Sequence, residues 1–136
     1  MKSPVWVLPE TVATLHEQLL SMFDGASGVR DAGLLASALA RPENLFAYRK
    51  PTASDLAASY AFGLVKNHPF VDGNKRTGFA VAVLFLELNG YRFSAEEADA
   101  TVQTLGLAAG AVTERAFAKW LDANSKAASG KKPSRR

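Results

Sequence analysis

The sequence predicts an all-α domain of about six helices. Apolar residues recur at three- and four-residue intervals along most of the 136 positions, and Pro, Ser, Thr or Asp fall where helices would begin. Gly or Pro falls where they would end, and the connections are short, with neither an internal repeat nor a long linker. At this length, with 48% hydrophobic residues, one globular unit with a substantial core is expected.

Taken in order, "LPETVATLHEQLLSMFDG" places Pro9 near a helix start, Val12, Leu15, Leu19 and Met22 on one face, and Gly25 past the end. "RDAGLLASALARP" offers Asp31 as N-cap, a stripe of Leu34, Leu35, Ala38 and Leu39, and Pro42 as a stop. "RPENLFAYRKP", residues 41 to 51, reads poorly as helix between its two prolines, and a short extended flap is expected there, before the third helix. That helix, "SDLAASYAFGLVKN", is capped near Thr52 or Ser54 and ends before Pro69. From Asn74 to Asn89 runs an apolar segment with Gly90 as its C-terminal cap, which predicts a central buried helix. Ser94 and Glu97 have capping-box spacing ahead of a fifth helix, and Thr113 caps a sixth. The N-terminal "VWVL" has the composition of a short strand.

The chain has no cysteine and only His16 and His68, which excludes a disulfide framework, a thiolate zinc site, a cysteine nucleophile and a His-rich metal cage. No apolar run approaches the roughly 20 residues that span a bilayer, and the N-terminus lacks a signal-peptide apolar region, so a cytoplasmic location and no membrane partner are expected. The net charge of +3 is unevenly spread. Residues 125–136 carry five basic and no acidic side chains, whereas residues 1–124 hold 11 basic and 13 acidic ones. The expected organisation is therefore a slightly acidic domain, 1–124, followed by a basic, disordered tail, 125–136, through which nucleic acid would bind only weakly.

One stretch breaks the helical pattern. "NHPFVDGNKRTGF", residues 67–79, sets polar and charged groups between two apolar helices. Free N–H groups at a helix start sit at the positive end of the helix dipole and suit an anion. Lys75 and Arg76 add cations in that first turn, where helix stability alone would favour Asp or Glu, so the missing counter-charge is a phosphate. Gly73 lets the main chain approach a ligand or adopt positive φ. Asp72, the loop's one carboxylate, suits a magnesium ion shared with phosphate oxygens, and His68 suits a general base for a hydroxyl attacking phosphorus. Asn74 can donate to a phosphate oxygen or cap its helix. Singly, each residue has an ordinary role in solvation, capping or ion pairing; together they point to phosphoryl or nucleotidyl transfer.

"HPFVDGNKRT" resembles the Fic/Doc signature, His-x-Phe-x-Asp/Glu-Gly-Asn-Gly/Lys-Arg, and "GVRDAGLLASALARPENLF" and "LFLELNGY" are similar to the death-on-curing (Doc) branch. The resemblance covers about residues 5–124. It implies an all-α Fic/Doc-type bundle in which His68 deprotonates a target hydroxyl and Asp72 holds Mg2+. Gly73, Asn74, Lys75 and Arg76 would bind the phosphates of ATP. The adenylyl-transferring branch has Gly where Lys75 stands and a second Arg where this chain has Phe79. The Doc pattern instead implies a toxin kinase that phosphorylates elongation factor Tu on a Ser or Thr and arrests protein synthesis. The same phosphate electrostatics serves AMP transfer, so the loop alone leaves both reactions open.

Fic enzymes often carry an inhibitory Ser/Thr-x-x-x-Glu-Gly/Asn motif; here the one Glu followed by Gly or Asn is Glu43, with Leu39 four residues before it. The resemblance therefore implies a cognate antitoxin acting in trans. It also implies that the flap, residues 41–53, holds a target segment by strand addition. A reading of a different class is a non-catalytic phosphate- or nucleic-acid-binding helical module, which would have little need of a histidine and a carboxylate spaced to share a ligand.

Overall fold

The computed structural model describes residues 2–128. Its helices are α1 (Pro9–Phe23), α2 (Ala32–Tyr48), α3 (Ala53–Asn67), α4 (Asn74–Leu88), α5 (Glu97–Ala109) and α6 (Glu114–Ala123). Two three-residue strands, β1 (Tyr91–Phe93) and β2 (Ser125–Ala127), complete an otherwise all-α architecture. Three N-caps fall where the sequence places them. Asp31 accepts from Leu34 N at 2.9 Å and Thr113 from Ala116 N at 3.0 Å. Thr52 and Asp55 form a reciprocal capping box, at 3.0 and 2.9 Å.

The centre of the bundle is α3 rather than α4. Eleven of the 15 residues of α3 are buried, and α2, α4 and α6 pack around it. Small side chains make this possible: Ala57, Ala58, Ser59, Ala61 and Gly63 let neighbouring backbones come close. A Cβ on Gly63 would lie 3.1 Å from Ala38 Cα, and one on Gly78 would lie 3.2 Å from the Ala61 carbonyl. Helix α4 buries Val81, Ala82, Phe85 and Leu86 against this core and leaves another face partly open.

Several sequence expectations change. Helix α2 does not stop at Pro42 but continues to Tyr48, so no flap spans 41–53 and only Arg49–Thr52 connect α2 to α3. Pro42 forfeits the bond its N–H would have given to the Ala38 carbonyl, a cost of about 3 kcal/mol with the ring's steric clash. Against that, the Pro42 ring is buried, and the turns beyond it pack Leu45 and Phe46 on the core, Phe46 edge-on to Trp6 at 5.9 Å. The proposed "VWVL" strand is an extended segment without a strand partner. Asn89 holds it, accepting from Val5 N at 2.8 Å and donating to Val5 O at 2.9 Å, while Val7 N donates to the Tyr60 hydroxyl at 3.1 Å.

Ser94 does not cap α5, which begins at Glu97 with no side-chain cap. Its N–H instead donates to Asn124 O at 2.9 Å, extending the β1–β2 ladder. That ladder pairs Tyr91 with Ala127 and Phe93 with Ser125, so the fold runs past residue 124, into the segment expected to be a tail. Residues 129–136, most of that tail, lie outside the described residues. On α1, Met22 is exposed rather than part of the apolar face, and His16 is buried.

Candidate functional site

The site lies where α3 ends and α4 begins. His68 closes α3 in the left-handed conformation, φ 52° and ψ 53°, and its N–H donates to Leu64 O. For a residue with a Cβ this costs about 1 kcal/mol, and it turns the chain sharply into the loop. A second segment, between α1 and α2, holds the turn. The Pro69 carbonyl accepts from Arg30 N at 2.7 Å and Asp31 N at 3.0 Å, and Val71 N donates to Gly28 O at 3.0 Å. The Arg30 side chain donates to the carbonyls of His68, at 2.7 Å, and Asn67, at 3.0 Å. The backbone carrying His68 is thus fixed by Arg30, while its ring is exposed and has no hydrogen-bond partner among the described residues.

Phe70 is fully buried and anchors the loop, stacked on the His16 ring at 3.8 Å with 12° between planes. Asn74 is buried and committed to the same residue: its Oδ1 accepts from Phe70 N at 2.9 Å and its Nδ2 donates to Phe70 O at 3.0 Å. The Asn74 side chain therefore staples the loop and is not free to donate to a ligand or cap α4. Its backbone N–H is another matter.

Gly73 is the N-cap of α4, at φ 79°, and supplies no side-chain cap. The first helical bond runs from Thr77 N to Gly73 O at 3.0 Å. The N–H groups of Asn74, Lys75 and Arg76 consequently have no hydrogen-bond partner among the described residues, and the positive end of the α4 dipole is open. Lys75 is exposed without an acid within 4.0 Å among the described residues, and the Arg76 guanidinium lies 4.1 Å over the Phe23 ring. Asp72 is exposed beside them; its Oδ1 accepts from Gly73 N at 2.8 Å and its Oδ2 from Ala26 N at 3.4 Å.

A groove of about 990 Å3 leads away from this helix start, between α1, α4 and α5. One end is formed by Asp72, Gly73, Lys75 and Arg76, the walls by Leu15, Leu19, Phe23, Phe79, Val83 and Leu84, and the far end includes Glu87, Ser94 and Glu97. His68 does not line it. Phe79 stands in an aromatic cluster, 5.8 Å from Phe93 and 6.2 Å from Trp120, so no cation reaches into the groove from that position.

The site thus offers three free amides, two cations, the carboxylate of Asp72 and a partly apolar groove, chemistry that suits an anion at the helix start with an apolar group beside it. Among the described residues no cluster of three or more His, Cys, Asp or Glu could hold a metal by itself. The Asp72 carboxylate next to the open helix start fits Mg2+, which takes few protein ligands and completes its shell with oxygens of water or an anion. Sequence reasoning missed His16, Arg30 and Phe23. Only His16 left a signal, since it lies four residues after Val12 on the apolar face of α1.

A helix start with open amides and two cations, preceded by a histidine and a carboxylate in an all-α frame, defines a class of helical domains whose chemistry suits an anionic group. Comparison with known proteins narrows this further. A model of the Fic/DOC family matches residues 6–86, which include the whole loop. The chain is 33% identical over 118 residues to "Protein kinase doc" of Escherichia phage P1, covering 85% of this chain and 91% of the phage protein. It is 45% identical over 78 residues to "Toxin Doc" of Mycolicibacterium smegmatis, covering 54% of this chain and 58% of that toxin's length. The chain belongs to the Fic/DOC family, in its Doc branch. Among the described residues no helix is long and apolar enough to cross a membrane.

Proposed function

We propose that this protein is the toxin of a toxin–antitoxin pair, a cytoplasmic enzyme that transfers the terminal phosphate of ATP to a Ser or Thr hydroxyl of elongation factor Tu. The observation that carries the reading is the start of α4, where three unpartnered amides stand with Lys75 and Arg76 beside the carboxylate of Asp72. The names of the two relatives, a Doc toxin and a Doc protein kinase, support it. Release of the active enzyme is controlled by an antitoxin supplied in trans.

In this mechanism the amides of Asn74, Lys75 and Arg76 and the two cationic side chains bind phosphate oxygens and spread the charge that develops during transfer. Asp72 would hold Mg2+, which when bound neutralises phosphate charge. The His68 ring, exposed at the loop, accepts the proton of the target hydroxyl. The hydroxyl oxygen forms its bond to the terminal phosphorus as the bond from that phosphorus to the bridging oxygen breaks, and ADP leaves with the electron pair. A cation at position 75 and an apolar Phe79 deeper in the groove favour holding the terminal phosphate, not the α-phosphate, next to the base.

Incubation of the protein and elongation factor Tu with ATP labelled at the γ or the α phosphate tests the reaction. Label is expected on the target from the γ position only; retention from the α position alone would make the enzyme an adenylyltransferase. His68→Ala should lower the transfer rate by at least about a hundredfold with an unchanged melting temperature. Transfer at the wild-type rate would remove His68 from the base role.

A further inference from the structure

We infer that His16, a buried residue of α1, is a positioning residue for the phosphate-binding loop, locking the Asp72–Gly73 peptide plane through its ring N–H. This rests on the phosphate-transfer reading of the loop. The His16 side chain is 2% exposed, and its Nε2 lies 2.8 Å from the Asp72 carbonyl oxygen. A carbonyl can only accept, so Nε2 carries the proton and donates. The other end of the same peptide unit is also tied, because Gly73 N donates to Asp72 Oδ1 at 2.8 Å. Both polar groups of one peptide are therefore fixed, one by α1 and one by the loop's own carboxylate.

That peptide immediately precedes the free amides. A rotation of its plane would turn Gly73 N away from Asp72 Oδ1 and leave the carboxylate only its longer bond to Ala26 N beside the helix start. The first bond of α4 uses the Gly73 carbonyl, so the helix cannot hold the Asp72 carbonyl in its place. His16 holds it instead. The ring also stacks on Phe70 at 3.8 Å, and a Cβ on Gly73 would come within 3.6 Å of Nε2. Packing alone would be served by Phe or Leu on the face that also carries Val12, so the polar ring is explained by the hydrogen bond.

The test separates shape from hydrogen bonding in the full-length chain. His16→Phe keeps an aromatic ring on Phe70 without the donor, and His16→Gln restores an N–H at a similar reach without the ring. Mg2+·ATP affinity, hydrogen exchange of the Gly73 amide and melting temperature are measured for each. Loss of the donor is expected to weaken Mg2+·ATP binding about tenfold and to speed exchange of the Gly73 amide, with Gln recovering most of both. Wild-type affinity and exchange in the Phe variant would overturn the inference, as would a folded Gln variant that recovers neither. If the Phe variant does not fold, His16→Leu takes its place, and ring 15N shifts of the wild type decide independently, since a proton on Nδ1 alone excludes the bond. Failure of the wild type to bind Mg2+·ATP would count against the phosphate-transfer reading, while exchange of the Gly73 amide would still judge His16.

Discussion

Tyr60 is fully buried, and its hydroxyl accepts the Val7 N–H at 3.1 Å. Burial pushes its pKa up to about 12. In the unfolded chain the phenol ionises near pH 10, so between roughly pH 10 and 12 the unfolded state loses the proton first. Stability is intact below that window and falls through it, by about 2 kcal/mol in all. Tyr60→Phe should flatten this alkaline loss relative to wild type in denaturant melts, while lowering stability near neutrality by about 1–3 kcal/mol because the buried Val7 N–H loses its partner. Parallel alkaline profiles would refute the assignment. At this scale the sequence told what each side chain could do better than whom it would meet. The gathering of Asp72, Gly73, Lys75 and Arg76 at one helix start was legible because their types conflict with a simple helix start, whereas His68 does not line the same groove. Asn74 was legible as polar but not as the staple of Phe70, because that role depends on a loop closing back on itself.

Helices and their caps were legible wherever local chemistry decides them, as at Asp31, Thr52 and Thr113. They were misread where tertiary contacts prevail. Pro42 looked like a stop because its intrinsic cost is local, whereas the gain from Leu45 and Phe46 reaching the core is not. Ser94 looked like a cap because the partner that occupies its N–H, Asn124, lies 30 residues away. Close packing is equally hidden. Gly78 faces α3 so tightly that an added Cβ would be 2.9 Å from Val65 Cγ2 and 3.2 Å from Ala61 O. Gly78→Ala should therefore destabilise the protein by about 1–2 kcal/mol in chemical denaturation, although Ala is by itself the better helix former by about 1 kcal/mol. A stabilised variant would show that α3 and α4 can separate at little cost.

For the molecule as a whole, length and composition point to one unit and apolar periodicity to helices, while the compositional boundary falls inside a pair of strands. The change from mixed to basic composition occurs near residue 125, yet Ser125–Ala127 complete a ladder with the strand that follows α4. Ending the chain after residue 124 should lower the melting temperature measurably compared with ending it after residue 128, because only the longer form keeps Tyr91, Arg92 and Phe93 paired. Equal melting temperatures would make β2 dispensable. The groove was not legible at all, since it belongs to no single segment: α1, α4, α5 and the β1 turn each supply part of it.

Its two ends differ in sign. Lys75 and Arg76 stand at one, Glu87 and Glu97 at the other, with aromatic and aliphatic walls between them. A trench built this way has a head and a tail. An extended charged chain lying along it has one electrostatically favoured direction, acidic residues toward the start of α4 and basic residues toward α5, and the reverse placement sets like charges together at both ends.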